Sequence, residues 1–493
     1  MPGFIHPLLV LPLIFAVSIP ARDVYAINKS DSLKIVSNLP LVIIQTNDQE
    51  IHDTKKIICH MGIIFNGKGK SNSSDEKYNN YNGNIAIEIR GSSSKKFPKK
   101  SYGVKTLDNQ NQEYDAALLT FPADNDWILY APYNDKSLMR DVLAYKIAND
   151  LGHYASRTAY VELIINGSYE GIYILEEKIK RGKHRVNISD TGNVSTEGFI
   201  LKIDRPGEGE NKFTRKQISE IVSGNVKGVI KGKYKTGSGC DVKYSADNNQ
   251  NFISSHYPPE GATWQNTQIR FHDPEAEEIT NEQYHYLDKF IYDFESALIC
   301  RKSVSDTSYR KFINVKSFID YFIINEFTKN ADSYRLSTYF YKDGDEMEGK
   351  IFMGPVWDFN ISMGNVDYCN SFLIEGWAYE FNSECSSHAW LVPQWWKMIL
   401  ADSVFASELN CRWKNLRTTT LKTDELMEFI DATYNYIETP QKRNFERWPV
   451  LNKKVWPNKV VNKTYFEEIL FLKNWLTKRL EWMDKNLPGD CKE

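Results

Sequence analysis

The 493-residue sequence predicts an α+β fold in two lobes, a β-rich one first and a mainly helical one second. Three observations predict it. Short β-branched or alternating segments crowd into the first 205 residues, and apolar residues recur at helical spacing from residue 281 onward. Between them, residues 206–262 form a polar, glycine- and lysine-rich stretch that reads as an insertion or loop. The composition, 41% hydrophobic and 25% charged, is that of a folded chain and excludes wholesale disorder. With 61 basic against 64 acidic residues, the chain lacks the basic excess of a nucleic-acid surface, so no nucleic-acid partner is expected.

In chain order, residues 8–19 (LLVLPLIFAVSI) are apolar but shorter than the roughly 20 residues a bilayer span requires. Val24-Tyr25-Ala26 follows with the residue sizes of a cleavage site, although the first six residues carry no Lys or Arg. Residues 1–26 are therefore read as a signal peptide. The expected location is exported: periplasmic, cell-surface or secreted, with no transmembrane anchor after signal removal. The seven cysteines show no C-x-x-C and no zinc spacing. Cys369 and Cys385 can pair, although sparse cysteines in a long chain are more often small buried apolar residues.

Residues 27–205 form the expected β-rich lobe. Residues 39–46 (LPLVIIQT), 85–89, 101–106, 126–130 (DWILY) and 199–203 read as strands, and residues 66–84 as loop. Residues 159–165 and 171–176 read as a hairpin around Asn166-Gly167, a strong turn signal. Residues 137–151 have helical spacing, with Ser137 as a cap and Gly152 closing the helix. In the helical lobe, residues 263–493, helices are expected at 282–298, 316–327, 425–436 and 465–486. β-Like stretches interrupt them at 337–342 and 350–356.

The chemistry concentrates in residues 325–365. Asn330-Ala-Asp332 lies just beyond a helix end, and Pro355-Val-Trp-Asp358-Phe-Asn360 ends the second strand of a hairpin. Asp332 and Asp358, 26 residues apart, thus sit at opposite ends of that hairpin, which can return both to one cleft. Hard oxygen donors of this kind suit Mg²⁺, which takes one or two carboxylates plus substrate phosphates. A second carboxylate can accept the proton of an attacking hydroxyl. Solvated turn acids are the competing reading. Against it stands the place of Asp358 between Trp357 and Phe359, where an unpaired charge is costly.

This Asn-x-Asp and Trp-Asp-x-x pair, joined by a tyrosine-rich hairpin, resembles the spore-coat protein H (CotH) kinase family. The resemblance extends through Ile87-Glu-Ile-Arg-Gly-Ser-Ser-Ser with Pro98-Lys-Lys-Ser-Tyr, and through Trp127-Ile-Leu-Tyr-Ala-Pro-Tyr-Asn-Asp-Lys-Ser-Leu-Met-Arg140-Asp. It continues in Asn166-Gly-Ser-Tyr-Glu-Gly-Ile-Tyr-Ile-Leu-Glu-Glu-Lys, in Trp395-Trp396 and in Arg412-Trp413. The resemblance implies an atypical protein-kinase-like fold that moves the γ-phosphate of ATP, with Mg²⁺ or Mn²⁺, to a protein hydroxyl. Its partners are then a nucleotide and an unidentified protein substrate.

By the same resemblance Asp332 is the catalytic aspartate and Asp358 a metal ligand. Asn360 stands as a further, uncharged ligand where many relatives carry a second acid. Typical kinases place an asparagine five positions after the catalytic aspartate; here that position is Ser337. Arg90 opens a serine-rich turn placed as a phosphate-covering loop should be, and Arg90, Lys100, Lys105 and Arg140 are candidate phosphate contacts. Glu176 is a candidate for orienting a cationic side chain, and Phe352 for stacking on adenine. Solvated lysines and a core phenylalanine are the competing readings of these positions. The nine histidines show no nucleophile–base spacing and no G-x-S-x-G occurs, so a triad hydrolase has no support. The alternative function is a non-catalytic surface, adhesion or nucleotide-binding protein of the same fold. A carbohydrate-active enzyme, suggested by the tryptophans and paired acids, comes after it.

Overall fold

Alternation of apolar residues lets the N-terminal strands close on themselves. In the computed structural model, which describes residues 34–205, 252–257, 267–303, 306–386 and 388–492, nine strands precede residue 178. They are β1 (Val36–Ser37), β2 (Leu41–Gln45), β3 (Ile57–Ile64), β4 (Asn72–Ser73), β5 (Tyr81–Arg90), β6 (Ser101–Leu107), β7 (Asp126–Tyr130), β8 (Thr158–Ile165) and β9 (Ser168–Glu177). Seven of them form a closed barrel in the order β2-β3-β5-β6-β7-β9-β8, shut by the parallel β2–β8 pair with Leu41 opposite Glu162. Its interior is filled by alternate residues such as Val42, Ile44, Ile85, Ile87, Trp127, Leu129, Val161, Leu163 and Tyr173. The β8–β9 turn is the expected one: Asn166 and Gly167 both take positive φ, 49° and 79°.

Helix α1 (Arg140–Asp150) follows β7 and begins three residues later than the spacing predicts. Ser137 does not cap it, because its hydroxyl donates to Asp135 at 2.6 Å. The signal peptide and most of the expected insertion lie outside the described residues. Within that stretch, β11 (Phe252–Ser254) is an edge strand; just after it, β12 (Gln268–Asp273) pairs with β11 and with β10 (Phe199–Ile203). With β13 (Thr338–Lys342) and β14 (Ile351–Met353) they make an antiparallel sheet in the order β11-β12-β10-β13-β14. The C-terminal part therefore wraps its helices around a sheet, of which only the last two strands stood out in its own sequence.

Those helices are α2 (Asn281–Ile299), α3 (Val315–Thr328), the short α4 (Phe381–Glu384), α5 (Trp395–Leu400), α6 (Ser403–Arg417), α7 (Thr423–Tyr436), α8 (Glu438–Arg447) and α9 (Tyr465–Asn486). Thr280 and Thr464 start α2 and α9 with capping boxes. α3 is buried from Ser317 to Thr328, its buried acids Asp320 and Glu326 paired with Arg412 and Arg479. The chain forms the disulfides Cys369–Cys385 and Cys411–Cys491, the second tying the end of the chain to α6.

Helix α8 docks on the barrel around a buried lysine. Lys99 Nζ donates to the Ile172 carbonyl at 2.5 Å and to Asn444 Oδ1 at 2.9 Å, and lies 4.9 Å from the Tyr173 ring centroid. Burial brings its pKa down from 10.5 to about 7. Between those two values the unfolded chain keeps a proton that the folded chain has lost, so this group makes stability rise with pH across that window. In urea titrations from pH 7 to 9, Lys99→Met should therefore show a shallower rise in midpoint than the wild type. Equal slopes would mean that Lys99 folds without losing its proton.

Candidate active site

The loop carrying Asp332 is fixed from below by α3. Lys329 ends the helix in the left-handed region at φ 43°. Its ammonium donates to the carbonyls of Asn370, at 3.1 Å, Leu373, at 3.2 Å, and Glu375. Asn330 then works in two directions: its Oδ1 accepts the Asp332 N–H at 3.2 Å and its Nδ2 donates to the Asp358 carbonyl at 3.1 Å. Arg335 is 1% exposed and donates to Asp332 Oδ1 at 2.8 Å and to the Ala331 carbonyl at 2.7 Å, while its guanidinium rests 3.9 Å from the centroid of Phe381. One carboxylate oxygen of Asp332 is thus committed to a buried guanidinium.

The loop carrying Asp358 is fixed from the other side by α1. The Asp358 N–H donates to Tyr145 Oη at 3.1 Å, the Phe359 N–H to Asp141 Oδ1 at 2.6 Å, and Arg140 Nε to the Ser362 carbonyl at 3.1 Å. Ser337 Oγ donates to Asp358 Oδ2 at 3.4 Å, so the residue standing where kinases carry asparagine still touches the metal-ligand candidate. Tyr145 stacks on Trp357 at 5.7 Å, and the Arg90 guanidinium lies 5.6 Å from the same indole. Five non-glycine residues of this region, Lys329, Tyr334, Ser337, Asp358 and Met363, have positive φ. Such strain persists only where the surroundings over-determine the backbone, and it gathers at functional sites.

The fold, through the Asn330 side chain, holds the two aspartate loops together against their like charge. Burial first, then the charges of Asp332 and Asp204, push the Asp358 carboxyl up to about 6, while Arg205 and Arg90 pull it down. Behind it, Asp141 is raised by burial and by Asp358, and Glu176 by burial and by Asp141. Asp141 Oδ2 and Glu176 Oε1 are buried without hydrogen-bond partners. Among the described residues no group of three or more His, Cys, Asp or Glu is placed to hold a metal ion. A pair of like charges held in one place nevertheless fits the usual Mg²⁺ arrangement, one or two carboxylates completed by phosphates and water.

Of the residues singled out in the sequence, the fold gathers Asp332, Asp358, Ser337, Glu176 and Arg90 around one point. Lys100 instead donates to the Lys95 carbonyl at 2.6 Å. Lys105 pairs with Glu113 at 2.5 Å and Asp126 at 3.7 Å. Arg140 is fully buried against Asp135 at 2.5 Å and reaches the site only through the Ser362 carbonyl. Phe352 stacks on Tyr341, its cross-strand neighbour, with centroids 5.1 Å apart. Asn360 follows Asp358 in the same loop, and its carbonyl accepts from Asn365 Nδ2 at 2.7 Å. Four residues escaped the sequence reading: Asp141, Tyr145, Asp204 and Arg205. Asp141 directly follows Arg140, whose charge is the more evident signal, and Asp204-Arg205 is a charged pair just past the end of a strand.

The CotH kinase protein model matches residues 87–483, more than half of the chain. The inner spore coat protein H of Bacillus subtilis (strain 168) is 27% identical over 147 residues, which are 30% of this chain and 36% of that protein. The chain thus aligns with about a third of that relative's length. The matched span holds both aspartate loops and the strands and helices that frame them, and the chain belongs to the CotH kinase protein family.

Proposed function

We propose that the protein is an exported atypical kinase that transfers the γ-phosphate of ATP to a hydroxyl of a protein substrate. In this reading the barrel and the helix-wrapped sheet act as the two lobes of a protein-kinase-like body. The observation that carries it is the pair Asp332 and Asp358: two acids on separately braced loops that the Asn330 side chain ties to each other. Asp358 faces the phosphates, where a bound divalent ion would neutralise charge on them. Asp332, held through Oδ1 by Arg335, takes the proton of the acceptor hydroxyl. The acceptor oxygen bonds the γ-phosphorus, the bond from that phosphorus to the β–γ bridging oxygen breaks, and ADP leaves with the electron pair.

Membership of the family, the name of the spore-coat relative and the two disulfides support an exported or surface location. No helix among the described residues is long and apolar enough to cross a membrane.

Radiolabelled phosphate from ATP should appear on the protein itself or on an added acceptor protein in the presence of Mg²⁺ or Mn²⁺. A thermal shift with nucleotide but no transfer would favour the second reading, a non-catalytic nucleotide-binding protein. Asn360, in place of a charged ligand, is the observation on that side. The absence of both transfer and nucleotide binding would overturn the kinase reading.

A further inference from the structure

We propose that Arg90 and Arg205 form a two-guanidinium clamp for a phosphate chain, one arginine from each half of the fold, on either side of Asp358. The inference rests on the kinase reading for the identity of the ligand but not for its chemistry, which is polyphosphate.

Among the described arginines, only these two have no hydrogen-bond acceptor and no carboxylate for their guanidinium groups. The contrast with the others is sharp. Arg140 pairs with Asp135, Arg335 with Asp332, Arg443 with Glu162 and Arg479 with Glu326. Arg90 and Arg205 are half-buried, and Arg205 Nε is fully shielded from solvent without a partner. A shielded donor left unpaired costs free energy, so these positions are explained by an anion that completes them.

The fold puts both at the acid pair. Arg90 ends β5 and lies over Trp357, the neighbour of Asp358. Arg205 comes two residues after Ile203, which pairs with Thr338 across β10–β13. That register carries Asp204 and Arg205 toward Ser337, whose hydroxyl reaches Asp358. Trp390 supports the Arg205 guanidinium from 5.5 Å. Both cations act electrostatically on Asp358, yet neither comes within ion-pair distance of it. The planar fork of a guanidinium matches two phosphate oxygens at once, which a lysine ammonium cannot do. Bracing on an indole face also limits the entropy lost when the ligand arrives.

The test measures binding of Mg-ATP, of Mg-tripolyphosphate and of adenosine to the wild type, Arg205→Gln, Arg205→Lys and Arg90→Gln, each checked for folding by circular dichroism. Each Gln variant should bind ATP and tripolyphosphate at least about tenfold more weakly, with adenosine unchanged, and Arg205→Lys should recover part of the loss. Wild-type affinity of Arg205→Gln for both polyphosphates would overturn the clamp, and so would an equal loss for adenosine. If the wild type binds tripolyphosphate but no nucleotide, the kinase reading fails while the clamp stands. Binding of neither polyphosphate by the wild type overturns the clamp itself.

Discussion

Asp358→Asn is expected to abolish both metal-dependent ATP binding and phosphate transfer, whereas Asp332→Asn should keep binding and lose transfer by about 10²–10⁴-fold. The difference follows from what each group meets. A ligand of the ion that faces the phosphates acts on the bound ground state, while an acceptor of the substrate proton acts only as the hydroxyl attacks. Asparagine is the substitution of choice at 332, because its Oδ1 still accepts from the buried Arg335 at the 2.8 Å contact. Alanine there would strand that cation and confound chemistry with unfolding. Asp345→Ala serves as the control, since its carboxylate is engaged by Tyr286 and Lys342 beyond the far end of β13. Equal loss of ATP binding in both asparagine variants would make Asp332 a metal ligand as well. Full transfer by Asp358→Asn would remove the kinase assignment.

The largest effect on stability should come from Arg140→Met. Its guanidinium is wholly buried with Asp135 and donates to the Ser362 carbonyl. Removing one partner of such a pair leaves a buried charge uncompensated, which costs about 3–5 kcal/mol. Urea unfolding followed by tryptophan fluorescence measures it, and Asp135→Leu in the same chain should restore part of the loss. A change below about 1 kcal/mol together with weakened ATP binding would place Arg140 on the phosphates instead, as a merely supportive contact to structure would not do.

The local grammar of this fold is legible in the sequence, and its closure is not. Alternation at Ile85 and Ile87 and the Asn166-Gly167 turn announce strands and a hairpin, because both depend on neighbours in the chain. The parallel pairing of Leu41 with Glu162 depends on 120 residues of intervening chain and leaves no local mark. At the site, Asp332 and Asp358 could be read from their motifs. Arg140 and Asp141 could not be given their roles, since only packing reveals that both bond the backbone of the Asp358 loop rather than a ligand. Lys100 and Lys105 looked available because their acceptors, the Lys95 carbonyl and Glu113, are ordinary surface groups in the sequence. Nothing in the sequence marks Arg205, and only the fold shows that its guanidinium lacks an acceptor.

Three residues of the first two turns of α1, Arg140, Asp141 and Tyr145, grip the backbone of residues 358–362. Swinging that segment out of the cleft would break all three bonds, at about 1–3 kcal/mol each where buried or charged groups are stranded. The displaced conformer would then hold less than about 1% of the population. A segment so held is a poor toggle: nothing short of a tightly binding effector could populate its outward form. In the proposed reaction, on–off control would then fall to supply, that is, to when nucleotide and acceptor reach loops that α1 already holds in place.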